Sequence, residues 1–304
     1  MNAGWQVLDC INLKGSIRYK RGQLVVQTDD SERIFPLAQI AVVLIGIQTT
    51  ISGSVIAKLS EYDIALLVCD WRSIPTAGAV PWREHTRIGA RQQAQARLSL
   101  PRKKQAWSRI VSAKISGQNR TLAAIQGSPS KLLSELARTI RSGDSDNFEA
   151  RAARHYWAAL SGETKFSRSP GVGGDAWNSA LDYGYTLLRG YGIRAICAAG
   201  LVGTLGLFHH SRNNSFALVD DLMEPFRPMV DQIVFENLDI RDELSPTFKQ
   251  QLSLGLTSKF DSSGKSVPSI FIDFAQYYGL YVEGEVESLR VPIWSGELNA
   301  SDGK

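Results

Sequence analysis

The chain has 304 residues, 43% of them apolar, and a formal net charge of +4. This length and apolar content suffice for a large core and for two domains, which excludes an intrinsically disordered protein. The three cysteines, Cys10, Cys69 and Cys197, are far apart and form no CxxC pair, so neither a zinc ribbon nor a disulfide framework is expected. Since we find no targeting segment and no run of ~18 apolar residues, we expect a soluble cytoplasmic protein.

The first 82 residues are predicted to form a small, sandwich-like β-sheet domain. Short runs rich in Val and Ile alternate there with turn residues, which is the pattern of strands. Strands are expected over Trp5–Leu8, Ser16–Tyr19, Gln23–Gln27, Ile40–Ile45 and Ile64–Val68, with one helix over Gly53–Tyr62.

Residues 83–304 are predicted to form a larger, all-α domain, which makes the chain an α+β protein with several domains. Trp107, Ile110, Val111 and Ile115 recur at the spacing of one buried helix face. Proline is expected to interrupt the last of the later helices. These helices are predicted over Asn147–Leu160, Ala176–Leu188, Arg194–Leu205 and Phe216–Asn237. The stretch from Glu285 onward shows no period, and we expect it to be a mobile tail.

Positive charge is concentrated between Arg83 and Arg120. This segment contains ten basic residues and one acid, a net charge of +9. Arg83, Arg87 and Arg91 recur every four residues, so on a helix their like charges share one face and repel each other. Charge alone leaves two interpretations open. The segment is either a strip that follows a phosphate backbone or a solvated helix face with carboxylate neighbours from other elements.

Acids and histidines are concentrated in the segment Gly206–Pro228. Asp221 and Glu224 are three residues apart and share one helix face, while His209 lies upstream across a polar turn. Two carboxylates and an imidazole suit a hard divalent cation such as Mg²⁺ or Mn²⁺. In the structural alternative, the acids complement the helix dipole and the histidine is a core residue. The spacing does not choose between His209 and His210.

A second acidic candidate is Glu149, at the start of a predicted helix. Asp146-Asn-Phe-Glu149 matches a capping box, in which the glutamate only satisfies a backbone N–H group. The segment Phe148–Trp157 also combines aromatic, basic and small residues within about three helical turns. Arg151 and Arg154 on this helix are candidates for contacts with phosphates.

Three segments together closely resemble the signature motifs of Cas1, the CRISPR-associated integrase family of spacer acquisition. They are Phe148–Trp157, Gly206–His209 and Asp221–Pro228. Supporting matches lie in the segments Trp177–Leu188, Ala199–Leu201 and Trp107–Gln118, the last with its core Lys114-Ile-Ser-Gly-Gln118. The resemblance spans roughly Trp5 to Asp231 and is most like the type II branch. The chain reads Leu207-Phe208 where Phe-Leu is commoner in the family.

The resemblance implies a metal site and a set of partners. Glu149, His209 and Glu224 are the implied ligands of Mg²⁺ or Mn²⁺, and Asp221 is a further functional residue. The resemblance implies a homodimer. Two such dimers would flank a dimer of the small CRISPR-associated adaptation subunit, and double-stranded DNA (the prespacer and the CRISPR repeat) would lie across the assembly. The type II effector nuclease is a further candidate partner. Candidate DNA contacts are Arg83, Arg87, Arg91, Arg102, Lys103, Lys104, Arg151 and Arg154.

The implied reaction is a metal-dependent transesterification, in which the 3′-hydroxyl of the incoming DNA attacks a phosphate of the repeat. Because one phosphodiester replaces another, no ATP is needed, and the sequence shows neither a P-loop nor a GxGxxG motif after a strand. His209 must be neutral to bind a metal, so activity is expected to fall at acidic pH. Two alternatives are a metal-dependent structure-specific endonuclease, in which water replaces the 3′-hydroxyl, and a non-catalytic DNA-binding scaffold.

Overall fold

The computed structural model describes residues 5–71, 73–81, 86–141, 143–144, 146–164, 166–172, 174–209 and 211–298. Within these ranges the strands β1–β8 span Gln6–Cys10, Gly15–Lys20, Gln23–Gln27, Glu32–Pro36, Ile40–Ile45, Thr49–Ile51, Ala65–Cys69 and Pro75–Ala79. The helices α1–α10 span Gly53–Glu61, Ile88–Ala96, Leu100–Gln126, Lys131–Thr139, Phe148–Ser161, Ala176–Ala198, Ala217–Leu222, Arg227–Asn237, Pro246–Gly255 and Val267–Glu283. A β-sheet region followed by a larger helical region is therefore confirmed.

The strands form two four-stranded sheets. The first has the order β1-β5-β7-β8, in which β1, β5 and β7 are parallel and β8 is antiparallel. The second has the order β4-β3-β2-β6 and pairs β2, β3 and β4 as antiparallel neighbours. Sequence periodicity did not predict β4, β6 or β8, because these are edge strands with mostly exposed or half-buried residues. By contrast, every residue of the central strand β5 is buried.

The first sheet has a core on each of its two faces. Leu8, Val43 and Leu66 point toward the second sheet and pack with residues such as Ile17 and Leu24, which gives the sandwich-like arrangement. The residues on the other face belong to the same core as the helices. The sheets and the helices thus share buried surface rather than meeting only at a linker.

Helix α6 connects the two regions and is longer than predicted. It runs unbroken from Ala176 to Ala198, where two helices with a gap were expected. Gly190 and Gly192 interrupt the apolar period, yet both lie where the helix packs closely. A Cβ atom on Gly190 would lie 3.1 Å from Val42 in β5, and one on Gly192 would lie 2.6 Å from Val219. The predicted helix Arg194–Leu205 is wrong beyond Ala198, since the chain turns there through Gly200 with φ 68°.

Residues 285–298 are packed, so the prediction of a mobile tail from Glu285 is wrong over this stretch. Leu289 and Trp294 have no exposed surface. The indole of Trp294 donates a hydrogen bond to Gln232 at 2.8 Å, and Arg120 donates one to the Trp294 carbonyl at 2.9 Å. Single buried side chains in an irregular segment produce no period, which is why the sequence did not reveal this packing.

Cys10, Cys69 and Cys197 are free, and burial raises the pKa of Cys197 to about 11. Although α3 has 27 residues and α6 has 23, no helix in the described ranges is sufficiently long and apolar to cross a membrane.

Candidate active site

The loop between α6 and α7 carries His209, and one carboxylate from α7 holds this loop. Asp221 is completely buried, and its Oδ2 accepts hydrogen bonds from the backbone N–H groups of Leu207 at 2.5 Å and Phe208 at 3.1 Å. Its Oδ1 lies 2.6 Å from Nδ1 of His209 and accepts the His209 N–H at 3.2 Å. A Cβ atom on Gly206 would lie 2.8 Å from this carboxylate, so the loop requires glycine there. These contacts compensate the cost of burying the charge.

The contact with Asp221 decides which nitrogen of His209 can bind a ligand. A neutral histidine that donates from Nδ1 to the carboxylate keeps the lone pair of Nε2, as in many metal-binding histidines. The hydrogen bond to Asp221 raises the pKa of His209 above its usual value. Asp221 therefore orients the imidazole. His210, the alternative that the sequence left open, lies outside the described residues.

Glu149 lies in the first turn of α5, but it does not cap this helix. The carboxylate of Asp144 accepts hydrogen bonds from the N–H groups of Phe148 at 2.9 Å and Glu149 at 3.0 Å. The capping box expected over Asp146–Glu149 is therefore wrong. Asp144 satisfies these donors from a left-handed conformation with φ 50°, and the Glu149 side chain is left to interact elsewhere.

Lys114 of α3 lies between the two candidate glutamates. Its Nζ is 2.7 Å from Oε1 of Glu149 and 2.6 Å from Oε2 of Glu224, and Arg227 lies 3.1 Å from the other oxygen of Glu224. Glu224 starts the short 3-10 turn before α8, and its side chain is 4% exposed. Burial raises the pKa of Glu224, but Arg227 and Lys114 more than offset this and keep it below the usual range. The sequence alone indicates no individual role for Lys114 or Arg227, although Lys114 interrupts a buried helix face.

A buried acid supports this arrangement from behind. Asp231 of α8 accepts hydrogen bonds from the hydroxyl groups of Tyr156 at 3.0 Å and Tyr185 at 2.5 Å. The guanidinium of Arg227 lies 4.6 Å from the centre of the Tyr185 ring. Asp231 is 1% exposed, and burial raises its pKa to about 6. Tyr185 thus connects Asp231 to the arginine that binds Glu224.

The donor groups fit a hard divalent cation. Carboxylate oxygens and one imidazole nitrogen are suitable ligands for Mg²⁺ or Mn²⁺. Oε2 of Glu224 is buried and lies 2.6 Å from the ammonium nitrogen of Lys114. In the part of the chain that the structure describes, no three His, Cys, Asp or Glu side chains form a ready metal cluster. Instead, the Lys114 ammonium group supplies the positive charge between Glu149 and Glu224.

Two stacked aromatic rings lie beside His209. The rings of Trp107 and Phe208 are parallel within 1°, with centroids 4.5 Å apart, and both are perpendicular to the imidazole of His209 within 6°. Trp107 is 2% exposed, whereas Phe208 is 49% exposed. The aromatic pair thus forms a wall of the site with one ring open to solvent.

The candidate DNA contacts at the start of α2 differ in exposure, although both pair with the same glutamate. Arg91 is 4% exposed, binds Glu283 of α10 at 2.9 Å and donates to the carbonyl of Ala199 at 2.8 Å. The prediction that Arg91 contacts DNA is therefore wrong, because it is buried in an ion pair. Arg87 is 58% exposed and also pairs with Glu283, at 3.2 Å. For these two arginines, carboxylate neighbours from another element are confirmed. Arg83 lies outside the described residues.

The remaining candidates lie on α3 and α5. Arg102 donates to the carbonyl of Val286 at 3.1 Å and lies 4.2 Å above the ring of Tyr281, so it is tied to the α10 region. The side chains that retain solvent exposure are those of Lys103, Lys104, Arg151 and Arg154. These four stay predictions as DNA contacts.

The sequence profile of the family described as "CRISPR associated protein Cas1" matches residues 10–259. A CRISPR-associated endonuclease Cas1 from Neisseria meningitidis serogroup C is 37% identical over 249 residues, which cover 78% of this chain and 79% of the relative. Among solved structures, a casposase bound to its integration product has a TM-score of 0.76 at 17% identity, over 99% of this chain and 96% of that one. A chain of a Cas6-RT-Cas1–Cas2 complex has a TM-score of 0.73 at 19% identity, over 96% of this chain and 36% of that one.

Proposed function

Since the chain belongs to the Cas1 family of CRISPR-associated proteins, we propose that it is the integrase of CRISPR adaptation. It joins the 3′-hydroxyl ends of short DNA fragments to the CRISPR repeat by transesterification. The observation that carries the proposal is that Glu149 and Glu224 both contact the ammonium group of Lys114. His209, oriented by Asp221, lies on the loop before α7. The similarity to a casposase bound to an integration product gives further support for strand transfer.

We assign the divalent ion, Mg²⁺ or Mn²⁺, to Glu149, Glu224 and Nε2 of His209. When bound, this ion supplies Lewis-acid stabilisation of the charge that develops on the scissile phosphate. Asp221 keeps the Nδ1 proton in place and directs Nε2 away from the carboxylate. Arg227 keeps Glu224 ionised although it is buried, so that the carboxylate can act as a ligand.

The proposed substrates are double-stranded DNA fragments and the CRISPR repeat, and a Cas2-like subunit is the proposed partner. The Cas6-RT-Cas1–Cas2 complex supports such a partner. The exposed cations of α3 and α5 are the proposed phosphate contacts, because counterion release from phosphates drives DNA binding. A homodimer and an association with the type II effector nuclease are further proposals that rest on the family resemblance.

Strand transfer is tested with a labelled DNA fragment and a plasmid that carries the CRISPR repeat. Wild-type protein with Mn²⁺ should produce label covalently joined to the plasmid, and Glu149→Gln and Glu224→Gln should each reduce this product by at least ~100-fold. Glu135→Gln, at an exposed position of α4, is the matched control and should retain activity. Nicked plasmid without joined label from the wild-type protein would refute integration. That result would support hydrolysis, which the name endonuclease of the Neisseria relative also describes.

A further inference from the structure

Phe208, which directly precedes the candidate metal ligand His209, is 49% exposed, while its neighbour in the stack, Trp107, is buried. One face of Phe208 is covered by Trp107 at a centroid distance of 4.5 Å. A large apolar ring that is half in water at an active site has a surface available for a ligand.

The position of this ring is fixed on two sides. The backbone N–H of Phe208 donates to the buried carboxylate of Asp221 at 3.1 Å, and the ring is parallel to Trp107 within 1°. A side chain that is held in place before binding loses little conformational entropy when a ligand stacks on it. Phe208 is therefore preorganised as a flat binding surface.

The electrostatic surroundings favour a nucleotide as the ligand. Lys103, Trp107 and Lys114 lie at positions i, i+4 and i+11 of α3, which places them within about 40° of each other around the helix. Trp107 and Lys114 both contact the site, and the half-buried Lys103 continues the same face one turn away. A cation beside an aromatic surface is the combination that binds single-stranded DNA, in which bases stack while phosphates meet positive charge.

The chemistry of the proposed reaction selects one nucleotide. A base inside a duplex has both faces covered by its neighbours, whereas a terminal unpaired base has an open face. The 3′-terminal nucleotide of the incoming strand carries the attacking hydroxyl, so it must approach the residues around His209. Its base is then within reach of Phe208, which directly precedes His209 in the chain.

We propose that Phe208 is a stacking platform for the unpaired 3′-terminal base of the incoming DNA strand. This inference rests on the proposed function and deepens it, because it names the nucleotide that the site recognises. Stacking accepts all four bases and positions the terminal hydroxyl without reading sequence.

The test is a binding cycle with full-length protein in Mg²⁺ and without a repeat target. The probes are two fluorescein-labelled duplexes with single-stranded 3′ ends, identical except that the terminal nucleotide carries adenine in one and is abasic in the other. Phe208→Leu should weaken binding of the adenine-ended probe by about 5- to 140-fold and leave binding of the abasic-ended probe unchanged. Phe208→Tyr keeps the ring and should bind both probes like the wild type.

The inference is overturned if Phe208→Leu binds the adenine-ended probe like the wild type or weakens both probes equally. Thermal unfolding of each variant serves as the folding control. The plasmid assay separates this inference from the proposed function. Wild-type protein that discriminates the two probes but joins no label retains the platform without integration. Joined label without discrimination retains integration and removes the platform.

Discussion

The imidazole of His209 and the carboxylate of Asp221 lie 2.6 Å apart. This contact links the conformation of the loop before α7 to the ability of His209 to bind a metal through Nε2. Asp221 is fully buried and also holds the N–H groups of Leu207 and Phe208. The carboxylate therefore serves the loop and the imidazole together. A substitution at Asp221 should alter metal binding although it need not touch the metal.

The metal affinity of the wild-type protein is expected to decrease as the pH is lowered. In Asp221→Asn the same decrease should begin at a lower pH. The hydrogen bond to Asp221 raises the pKa of His209 above 6.5, and the protonated ring cannot bind a metal. Below this pKa, one proton competes with the ion, so Mn²⁺ affinity should fall about tenfold per pH unit. Mn²⁺ titrations followed by electron paramagnetic resonance between pH 5.5 and 8 measure this. Asp273→Asn, at an exposed position of α10, is the control, and an unchanged affinity profile in Asp221→Asn would contradict the assignment.

Removal of the cation between the two glutamates should destabilise the metal-free protein. Lys114→Met leaves Glu224 buried with one fewer partner, and loss of one member of a buried ion pair costs about 3–5 kcal/mol. Mn²⁺ can replace the missing charge, so its addition should raise the melting temperature of the variant more than that of the wild type. Lys58→Met removes an exposed pair with Glu61 and should leave the melting temperature close to that of the wild type. Equal responses of Lys114→Met and wild type to Mn²⁺ would show that Lys114 and the ion do not share the site.

Arg91 and Arg87 bind the same glutamate but should differ sharply when replaced. Arg91→Met leaves the carboxylate of Glu283, which is 4% exposed, without its buried partner, and should lower the free energy of unfolding by about 3–5 kcal/mol. Arg87 is 58% exposed, and Arg87→Met should cost less than about 1 kcal/mol. Urea unfolding measures both values. If Arg91→Met instead unfolds like the wild type and only loses DNA affinity, the structural role given to Arg91 is wrong.

The free energy of unfolding should decrease as the pH rises from about 4 to 6, because of the buried carboxyl group of Asp231. Burial raises the pKa of Asp231 from 3.8 to about 6, so the folded state binds a proton that the unfolded state releases in this range. The contribution is therefore favourable below pH 4 and is lost as pH rises through 6, by an amount on the order of 3 kcal/mol. Asp231→Asn carries no such proton, so its stability relative to the wild type should increase across this range. Urea unfolding at pH 4, 5, 6 and 7 tests the slope, with exposed Asp273→Asn as the control. A constant difference between Asp231→Asn and wild type would contradict it.

The sequence predicted the order of the two regions because apolar periodicity is a local property of the chain. It also identified His209, Asp221, Glu149 and Glu224 as candidates through motif resemblance. The partners of these residues were harder to predict, since they depend on contacts across the fold. Lys114, for example, meets Glu224 at a separation of 110 residues.

Arg91 shows the same limit from the opposite direction. Its spacing from Arg87 suggested an exposed basic strip. The neighbouring sequence gives no sign of its partner, because Glu283 is 192 residues away in the chain and meets Arg91 only in the folded protein. At α5, two nearby aspartates compete as helix caps. The motif selects Asp146, whereas the backbone conformation at Asp144 brings that carboxylate to the first turn.

The close contact of Gly190 with Val42 limits how this protein can be recombined with its relatives. The 23-residue helix α6 lies against the sheet near Gly190 and carries Tyr185, which supports the site, on an earlier turn. A chimera cut near residue 82 joins a foreign sheet surface to this helix, and even a Cβ atom at position 190 would require its neighbour at position 42 to shift by a few tenths of an ångström. Parts exchanged between family members must therefore include this pair as a unit, whatever boundary an alignment suggests.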